Sequence, residues 1–253
     1  MSLTQKEQVT TSDGVRVYFD LYVGGHSKVV IIAHGFFNSK ESVLLKSLAQ
    51  DLSGEYDCIV MDFRGHGETK GLFYWTTKEH LDLEAVLKFA RQNYQKTAVI
   101  GFSLGAATSL IVASKSDLID TVIAVSPPTV FEKIEFHFWN LDVENDIRYN
   151  LGKEGKIGKG VRPGPFWMPK EKPIKIVENV KAPVCYIHGG ADWLIHPWHS
   201  AALFEKTHSV KHIAIIKDGP HAEYLIRKNR DEFIRLVRDW LHQTLPQNEQ
   251  ELF

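Results

Sequence analysis

The feature that most constrains the fold is a series of six short apolar runs, each with Gly, Asp or Ser at its last or next-to-last position. The runs are KVVIIAHG, DCIVMDF, KTAVIGF, DTVIAVS, APVCYIHG and KHIAIIKDG. Continuous apolar runs of this length are typical of strands that are buried on both faces of a parallel sheet. An earlier run, VRVYFDLYV, alternates in polarity and predicts an antiparallel strand.

Segments with helical spacing separate most of these runs. They cover residues 40–52, 78–93, 104–114, 198–207 and 222–245. The regular exchange of strand and helix predicts an α/β fold with a mostly parallel, doubly wound sheet. Helices should cover both faces of this sheet, because its strands are apolar on both sides.

One interval interrupts the exchange of strands and helices. Residues 127–181 contain no strand-like run and are rich in proline, glycine, aromatic and charged residues. A structureless loop of this length is improbable inside a compact domain, so the interval predicts an inserted lid of short helices. We therefore divide the 253 residues into a core domain, residues 1–126 and 182–253, and a lid, residues 127–181.

Composition argues against several classes of function. The net charge of -1 comes from 30 basic and 31 acidic residues, which leaves no basic excess for a nucleic-acid partner. No apolar run approaches the roughly 20 residues that span a bilayer, and the first residues lack the apolar core of a signal peptide. We therefore expect a cytoplasmic protein without a membrane span, whereas the oligomeric state does not follow from the sequence. Cys58 and Cys185 lie inside apolar runs, which predicts buried thiols.

A serine between two glycines is the clearest candidate for chemistry. The pentapeptide GFSLG places Ser103 after the run KTAVIGF and before a segment with helical spacing. In this motif the serine occupies a sharp turn from strand to helix, where bulky neighbours would collide. Gly101 and Gly105 supply the space. A serine that only caps the helix is the structural alternative, because so short a motif also arises by chance.

A serine nucleophile requires a general base and a group that orients the base. Asp192 follows the run APVCYIHG, and His221 follows the run KHIAIIKDG, which gives the chain order Ser, Asp, His. Taken singly, Asp192 could instead cap a helix, and His221 could be an ordinary surface or core histidine. Asp218 lies too near His221 along the chain to support the imidazole easily, so we predict a loop residue there.

Acyl transfer also requires two backbone N–H groups that point at the oxygen of the carbonyl under attack. Leu104, directly after the serine, is predicted to supply one of them. The loop after KVVIIAHG should supply the other, with Phe36 as the candidate and Phe37 as the alternative. The two-step reaction of such a site needs no cofactor. His34 and His188, each in an HG pair at a strand end, are predicted to fix loop geometry.

These motifs resemble those of the α/β-hydrolase superfamily. The matching segments are AHGFF, DFRGHG, GFSLG, HGGADWLIHP and GPHAEY. The sequence is most similar to small capped serine esterases, namely the cinnamoyl or feruloyl esterase and monoacylglycerol lipase-like group. The resemblance implies a sheet of about eight strands with a helical lid. It also implies Ser103 as nucleophile, His221 as base and then acid, and Asp192 as orienting carboxylate. The oxyanion donors would be the N–H groups of Phe36 and Leu104.

Aromatic residues are frequent in the predicted lid and in the loops near the candidate site. The candidates for a substrate pocket are Phe37, Phe102, Trp139, Trp167 and Trp193. They predict either an apolar or aromatic acyl pocket or the packing of the lid on the core, and the sequence does not separate these readings.

Two pairs of residues have structural interpretations. Asp62 and Arg64 of DFRGHG are predicted to hold a loop together by an ion pair. His196 and His199 have a spacing that could serve a metal ion, but no third ligand of matching spacing follows. We therefore expect no metal site.

The expected function is a serine carboxylesterase that acts on small to medium acyl esters, with aromatic acyl groups as one option. The expected partner is a small-molecule ester. The first alternative is an acyl-thioester or lipid-like (monoacylglycerol) ester hydrolase. The second is a protein of the hydrolase fold that binds a ligand without catalysis.

Overall fold

Eight strands form one sheet in the part of the chain that the structure describes. This part, in a computed structural model, comprises residues 3–131, 160–165 and 167–245. The strands are β1 (Leu3–Thr10), β2 (Arg16–Val23), β3 (Lys28–Ala33), β4 (Asp57–Met61), β5 (Lys96–Phe102), β6 (Thr121–Val125), β7 (Val184–Gly189) and β8 (Lys211–Ile216). Their order across the sheet is β1-β2-β4-β3-β5-β6-β7-β8.

The sheet is mostly parallel, as predicted. Strands β3 to β8 pair in parallel with their neighbours, whereas β1 with β2 and β2 with β4 are antiparallel. The early antiparallel strand is therefore confirmed. The sequence analysis missed β1, because its residues LTQKEQVT are mostly exposed and carry no apolar face. Pairing with β2 along its whole length makes this segment a strand.

Seven α-helices lie among the described residues. They are α1 (Val43–Leu52), α2 (Glu79–Asn93), α3 (Leu104–Ala113), α4 (Pro173–Ile176), α5 (Trp198–Lys206), α6 (Tyr224–Lys228) and α7 (Arg230–Thr244). The single helix predicted for residues 222–245 is wrong, because Asn229 has non-helical dihedral angles, φ -129 and ψ 37, and separates α6 from α7. None of the described helices combines the length and the apolar character needed to cross a membrane.

Helices on the two faces of the sheet bury two apolar cores, as predicted. Helices α1, α6 and α7 contribute to one core, in which Phe233 is fully buried. Helices α2, α3 and α5 contribute to the other, in which Leu110 is fully buried. Cys58 and Cys185 are free, buried thiols in the first core, which confirms the prediction.

The order of the strands creates a crevice between β3 and β5. These strands are neighbours, but the chain continues from β3 to β4 on one side and from β5 to β6 on the other. In open α/β sheets the loops that follow two such strands enclose a crevice at the carboxyl edge, where ligands bind. The loop after β3 begins at His34, and Ser103 follows β5 directly. Both therefore lie at this crevice.

The described residues on either side of residues 132–159 lie on opposite sides of this crevice. The chain leaves β6 at Ser126. By Arg162 it lies beside the loop after β4, where the Phe73 N–H donates to the Arg162 carbonyl at 2.9 Å and the Gly164 N–H donates to the Phe73 carbonyl at 2.8 Å. Further along, α4 contacts α3, and Val177 is fully buried in the second core.

Candidate active site

Ser103 has a strained backbone conformation at the turn from β5 to α3. Its φ is 49° and its ψ is -106°, a combination that costs free energy for a residue with a side chain. The turn is held because the Ser103 N–H donates to the Val125 carbonyl at 2.8 Å. Among the described residues its hydroxyl makes no capping hydrogen bond to α3, so capping does not account for the serine.

The glycines on either side of Ser103 are required by close backbone approach. A Cβ atom at Gly101 would lie 2.5 Å from the Gly105 carbonyl oxygen. A Cβ atom at Gly105 would lie 2.2 Å from the Ala33 carbonyl oxygen. Both distances are far below van der Waals contact, so only glycine lets β5, α3 and the end of β3 meet here.

Asp192 and His221 are hydrogen-bonded to each other. His221 Nδ1 lies 2.7 Å from Asp192 Oδ2, and both residues are almost completely buried. The other oxygen, Asp192 Oδ1, accepts the N–H groups of Leu194 at 3.0 Å and Ile195 at 2.9 Å. The carboxylate is therefore fixed in a loop that presents Oδ2 to the imidazole. Asp218, by contrast, is exposed on the turn after β8.

The net effect of its surroundings keeps Asp192 ionised. Burial alone would raise the pKa of this carboxyl, but the charge of His221 and the hydrogen bonds of His188 and His221 hold the pKa below its usual range. His188 Nε2 lies 3.2 Å from Asp192 Oδ2 and 2.6 Å from the Ile195 carbonyl. His188 therefore fixes the geometry of the acid loop, as predicted.

Ser126 connects the loop of His221 to the neighbourhood of Ser103. Phe102 pairs with Val125 across β5 and β6, so Ser126 stands next to Ser103 at the edge of the sheet. The hydroxyl of Ser126 accepts the N–H of Ala222 at 3.1 Å. Because Ala222 follows His221 directly, this bond draws the histidine loop toward the nucleophile turn. The sequence analysis did not single out Ser126, although a polar residue that ends a buried strand was the available signal.

The loop after β3 passes close to Ser103. A Cβ atom at Gly35 would lie 3.5 Å from the Cβ of Ser103. In this loop His34 Nε2 accepts the N–H of Phe63 at 3.0 Å, so the neutral ring carries its hydrogen on Nδ1. That Nδ1–H donates to the Gly35 carbonyl at 2.7 Å.

The Gly35 carbonyl and the Phe36 N–H belong to one planar peptide unit. The hydrogen bond from His34 therefore fixes the direction of the Phe36 N–H, which agrees with a role of His34 in loop geometry. On the other side of the crevice, Leu104 is the first residue of α3. Its N–H consequently has no acceptor within the helix.

A family profile described as the alpha/beta hydrolase fold matches residues 28–155, slightly more than half of the chain. This protein belongs to the alpha/beta hydrolase fold family. The matched residues run from β3 through the nucleophile turn and past β6.

Relatives and solved structures agree with this family. The uncharacterized protein YqkD of Bacillus subtilis (strain 168) is 26% identical over 233 residues, which is 84% of this chain and 70% of YqkD. The Pyrococcus furiosus esterase Pf2001 superposes with a TM-score of 0.77 at 22% identity, over 96% of this chain and 93% of Pf2001. The esterase RhEst1 from Rhodococcus sp. ECU1013 gives a TM-score of 0.74 at 14% identity, over 96% of this chain and 100% of RhEst1. At these identities the structural likeness shows a shared fold.

The prediction that Phe102 lines a substrate pocket of this alpha/beta hydrolase is wrong. Phe102 is fully buried in the first core, with its ring centroid 6.1 Å from that of Phe233 in α7, because its side chain points away from the crevice. Phe37 is 40% exposed beside Phe36, and Trp193 is half-buried next to Asp192. Trp167 is 75% exposed, and Trp139 lies outside the described residues.

An aromatic cluster that the sequence analysis did not assemble lies behind the loop after β3. The Phe36 ring centroid is 5.1 Å from that of Phe73 and 5.3 Å from that of Trp75. The indole N–H of Trp75 donates to the Gly164 carbonyl at 3.3 Å. In this alpha/beta hydrolase the segment between β6 and α4 is thus linked at Gly164 to the Phe36 loop through the Trp75 side chain.

The predicted ion pair between Asp62 and Arg64 is wrong. Arg64 binds the carboxylates of Asp82 in α2 and of Asp13 in the turn between β1 and β2, each at 2.7 Å, because its side chain points toward these two elements. Asp62 instead accepts the N–H groups of Lys40 and Glu68, each at 2.7 Å. Burial raises the pKa of Asp62 to about 7, even though these hydrogen bonds lower it. Both residues still join loops, but through different partners.

The described part of this alpha/beta hydrolase contains no group of three or more potential metal ligands. His199 Nδ1 accepts the N–H of Thr129 at 3.0 Å, which uses the nitrogen in a structural contact. His196 is half-buried in the loop before α5, and His199 lies in α5 itself.

The buried His34 predicts a dependence of stability on pH. Burial lowers the pKa of His34 from 6.5 to about 4, although its hydrogen bond with Gly35 raises it. Between these values the unfolded chain binds more protons at this residue than the folded chain does, so folding weakens as the pH falls. Unfolding by urea should show that a His34→Asn variant loses less stability, relative to wild type, at about pH 5 than at about pH 7.5. The difference in the free energy of unfolding between wild type and His34→Asn should be about 2 kcal/mol smaller at about pH 5 than at about pH 7.5.

Buried ionisable groups that do not contact His34 are the same in both proteins, so their contributions cancel in this comparison. His66 is the exception, because its ring centroid is 4.9 Å from that of His34, and its pKa is lowered by burial and also by His34. Removal of His34 relieves part of this effect and changes the difference in the same direction. The variant His208→Asn removes an exposed histidine and serves as the matched control. A difference between wild type and His34→Asn that is the same at both pH values would contradict the neutral, buried state assigned to His34.

Proposed function

We propose that this alpha/beta hydrolase is a serine hydrolase that cleaves carboxylic esters of small to medium acyl groups. The observation that carries the proposal is the strained Ser103 turn at the crevice, with the hydrogen-bonded pair Asp192 and His221 on loops of the same sheet edge. A half-buried hydroxyl in such a turn, with a buried acid and base nearby, has the parts that acyl transfer requires.

In the first step, Ser103 Oγ attacks the carbonyl carbon of the ester while its proton passes to His221 Nε2. Asp192 supports the resulting imidazolium through the Nδ1–H. The carbonyl oxygen becomes an oxyanion that accepts the N–H groups of Phe36 and Leu104. When the tetrahedral centre collapses, the bond from carbon to the alcohol oxygen breaks. The alcohol leaves with the proton from His221, and the acyl group remains on Ser103.

In the second step, a water molecule takes the place of the alcohol. His221 removes a proton from this water, and the oxygen attacks the acyl carbon of the acyl-enzyme. Collapse of the second tetrahedral centre returns the proton to Ser103 Oγ and releases the carboxylic acid. All the proton transfers run through one imidazole, so no cofactor enters the proposal.

We further propose that the segment between β6 and α4 forms a lid over the crevice. Support comes from its described ends, since Ser126 and Arg162 lie on opposite sides of the loops that carry Phe36 and Ser103. The burial of Val177 in the second core favours a boundary before α4, earlier than residue 181. The residues that would pass over the crevice, 132–159, lie outside the part of the chain that the structure describes.

The aromatic cluster supports acyl groups that are apolar, including aromatic ones. The ring of Phe36, whose N–H we assign to the oxyanion, packs against Phe37 with centroids 4.1 Å apart. Phe37 keeps a large exposed fraction at the mouth of the crevice. Such a face offers aromatic contact to an acyl group but carries no charge that would select a polar one.

Ester hydrolysis is tested with p-nitrophenyl esters of increasing acyl length. We expect kcat/KM to be highest for short and medium acyl chains and to stop rising beyond about eight carbons, because each further methylene then finds no apolar surface. A cinnamoyl-type ester should react at a comparable rate. A fluorophosphonate should label Ser103, as determined by peptide mass spectrometry.

Three outcomes would point elsewhere. A kcat/KM that keeps rising by up to about fourfold per methylene beyond that length indicates a lipid-like substrate. A strong preference for thioesters over the matching oxygen esters indicates an acyl-thioester hydrolase. Absence of both hydrolysis and labelling leaves a protein that binds ligands without catalysis.

A further inference from the structure

A buried hydrogen bond joins the histidine loop to the loop after β3. Glu223 lies two residues after His221, and its Oε1 atom accepts a hydrogen bond from Asn38 Nδ2 at 2.5 Å. Both residues are only 5% exposed. Asn38 belongs to the same loop as Phe36, so this bond connects the segment of the base with the segment of the oxyanion donor.

The orientation of the Asn38 side chain is determined by its two contacts. Its Oδ1 atom accepts the N–H of Ser39 at 2.9 Å, which leaves Nδ2 to donate to Glu223. The Asn38 N–H also donates to the Gly35 carbonyl at 3.3 Å, in the peptide unit that contains the Phe36 N–H. The side chain and the main chain of Asn38 thus act on the same short loop.

The carboxyl group of Glu223 also lies close to the crevice. Its Oε2 atom is 3.4 Å from the position that a Cβ atom of Gly35 would occupy, and that position is 3.5 Å from Ser103 Cβ. A carboxyl group buried in this way costs free energy unless it is hydrogen-bonded. The hydrogen bond from Asn38 offsets this cost. It lies where a small displacement of either loop would affect the reacting atoms.

A second bond holds the same loop from the other side. Ala222, between His221 and Glu223, has a positive φ of 46° and donates its N–H to Ser126. Ser126 itself has a φ of 49°. Two successive residues after the base are therefore held by different parts of the site, Ala222 at the end of β6 and Glu223 at the loop after β3.

We propose that Glu223 is a positioning residue that, through Asn38, sets the distance between His221 and the Phe36 N–H. This inference rests on the proposed ester hydrolysis. Proton transfer and oxyanion binding must occur in one geometry, and a misplacement of about 1 Å can cost about 100-fold in rate. The bond between Asn38 and Glu223 couples the two functions. Loss of the bond should lower kcat more than it changes KM. The bond maintains the relative position of the groups that act in the transition state, whereas KM depends mainly on contacts with the bound substrate.

The chain allows this bond to be broken and then restored with reversed polarity. In Asn38→Asp, one carboxyl oxygen can still accept the Ser39 N–H, so the other faces the carboxyl of Glu223. Two buried carboxyls at this distance share one proton at low pH and repel each other once both are ionised. In the double variant Asn38→Asp, Glu223→Gln, the new amide of residue 223 can donate to the new carboxylate. Glu223→Gln alone keeps an acceptor toward Asn38 and should have a small effect.

The test measures kcat and KM for a p-nitrophenyl ester at about pH 6 and about pH 9, with each variant compared with wild type at the same pH. The loss in Asn38→Asp should be larger at the higher pH, where both carboxyls are ionised. Rates are divided by the concentration of sites that a fluorophosphonate titrates, so unfolded protein does not contribute. We expect Asn38→Asp to lower kcat by about tenfold to 100-fold with little change in KM. The double variant should recover most of that loss. Asn179→Asp, at an exposed asparagine, is the matched control.

The possible failures are distinguishable. If wild type neither hydrolyses esters nor reacts with the fluorophosphonate, the proposed function fails and the inference fails with it. If wild type is active but Asn38→Asp retains its kcat, only the positioning role is overturned. A double variant that is no faster than Asn38→Asp, or a loss confined to KM, overturns it as well.

Discussion

Replacement of Ser103 by alanine is expected to lower kcat for ester hydrolysis by a factor of about 10⁴ to 10⁶. The variant removes the atom that we propose forms the acyl-enzyme, whereas the backbone N–H groups of Phe36 and Leu104 remain. Residual hydrolysis would come from these groups and from direct attack by water. The measurement is the initial rate with p-nitrophenyl butyrate, together with fluorophosphonate labelling followed by mass spectrometry.

Ser114→Ala is the matched control for this variant. Ser114 lies at the opposite end of α3, where its hydroxyl donates to the Ile111 carbonyl at 2.8 Å. Its loss should leave the turnover per labelled site unchanged. The assignment of the nucleophile is wrong if Ser103→Ala keeps its hydrolytic rate, or if the probe labels the variant at another residue as fast as it labels wild type.

Replacement of Asp192 by asparagine is expected to lower kcat by about 10⁴-fold. The reason is that two backbone N–H groups fix the orientation of the carboxylate. Asp192 Oδ1 accepts the N–H groups of Leu194 and Ile195, so the amide oxygen of asparagine should occupy that position. The amide NH₂ group would then face His221 Nδ1. That contact favours the tautomer with hydrogen on Nε2, which is unable to accept a proton from Ser103.

The kcat of Asp192→Asn is best compared with that of Asp218→Asn. Asp218 is exposed and lies three residues before His221, so it tests whether the nearer acid supports the imidazole. We expect Asp218→Asn to retain most of the wild-type kcat. If Asp218→Asn loses activity and Asp192→Asn retains it, the roles that we assign to these two carboxylates are reversed.

The central part of the fold follows from the sequence, whereas its edges do not. Strands β3 to β7 are buried on both faces, and this burial is visible in their apolar composition. The apolar run of β8 predicted the same burial, but β8 lies at the edge of the sheet and only Ile216 is buried. Strand β1 is polar and exposed, so only its pairing with β2 distinguishes it from a loop. The break at Asn229 was similarly hidden, because apolar residues continue at helical spacing on both sides of it.

The candidate site was predictable as a set of residues but not as a set of contacts. Ser103, Asp192 and His221 follow different strands, and the common edge of a parallel sheet explains why such residues approach one another. The partners of Arg64 depend on the positions of α2 and of the turn between β1 and β2. No local sequence pattern encodes these positions. The same holds for Asn38 and Glu223, which are far apart in sequence and whose pairing requires the loops after β3 and β8 to be in place.

The attachment of residues 162–164 to the loop after β4 has a consequence for how the sequence of this protein can change. The hydrogen bonds between residues 162–164 and residues 65–73 join main-chain atoms, namely those of Gly65, Arg162, Phe73 and Gly164. Main-chain bonds persist when side chains are exchanged, provided that the backbone conformation is kept. Substitutions upstream of this attachment can therefore accumulate without detaching the segment. Ser126 is held in the same way, because its N–H donates to the Ile187 carbonyl at 2.9 Å. Ser126 and Arg162 are therefore positions at which the ends of a different segment could be joined to this sheet.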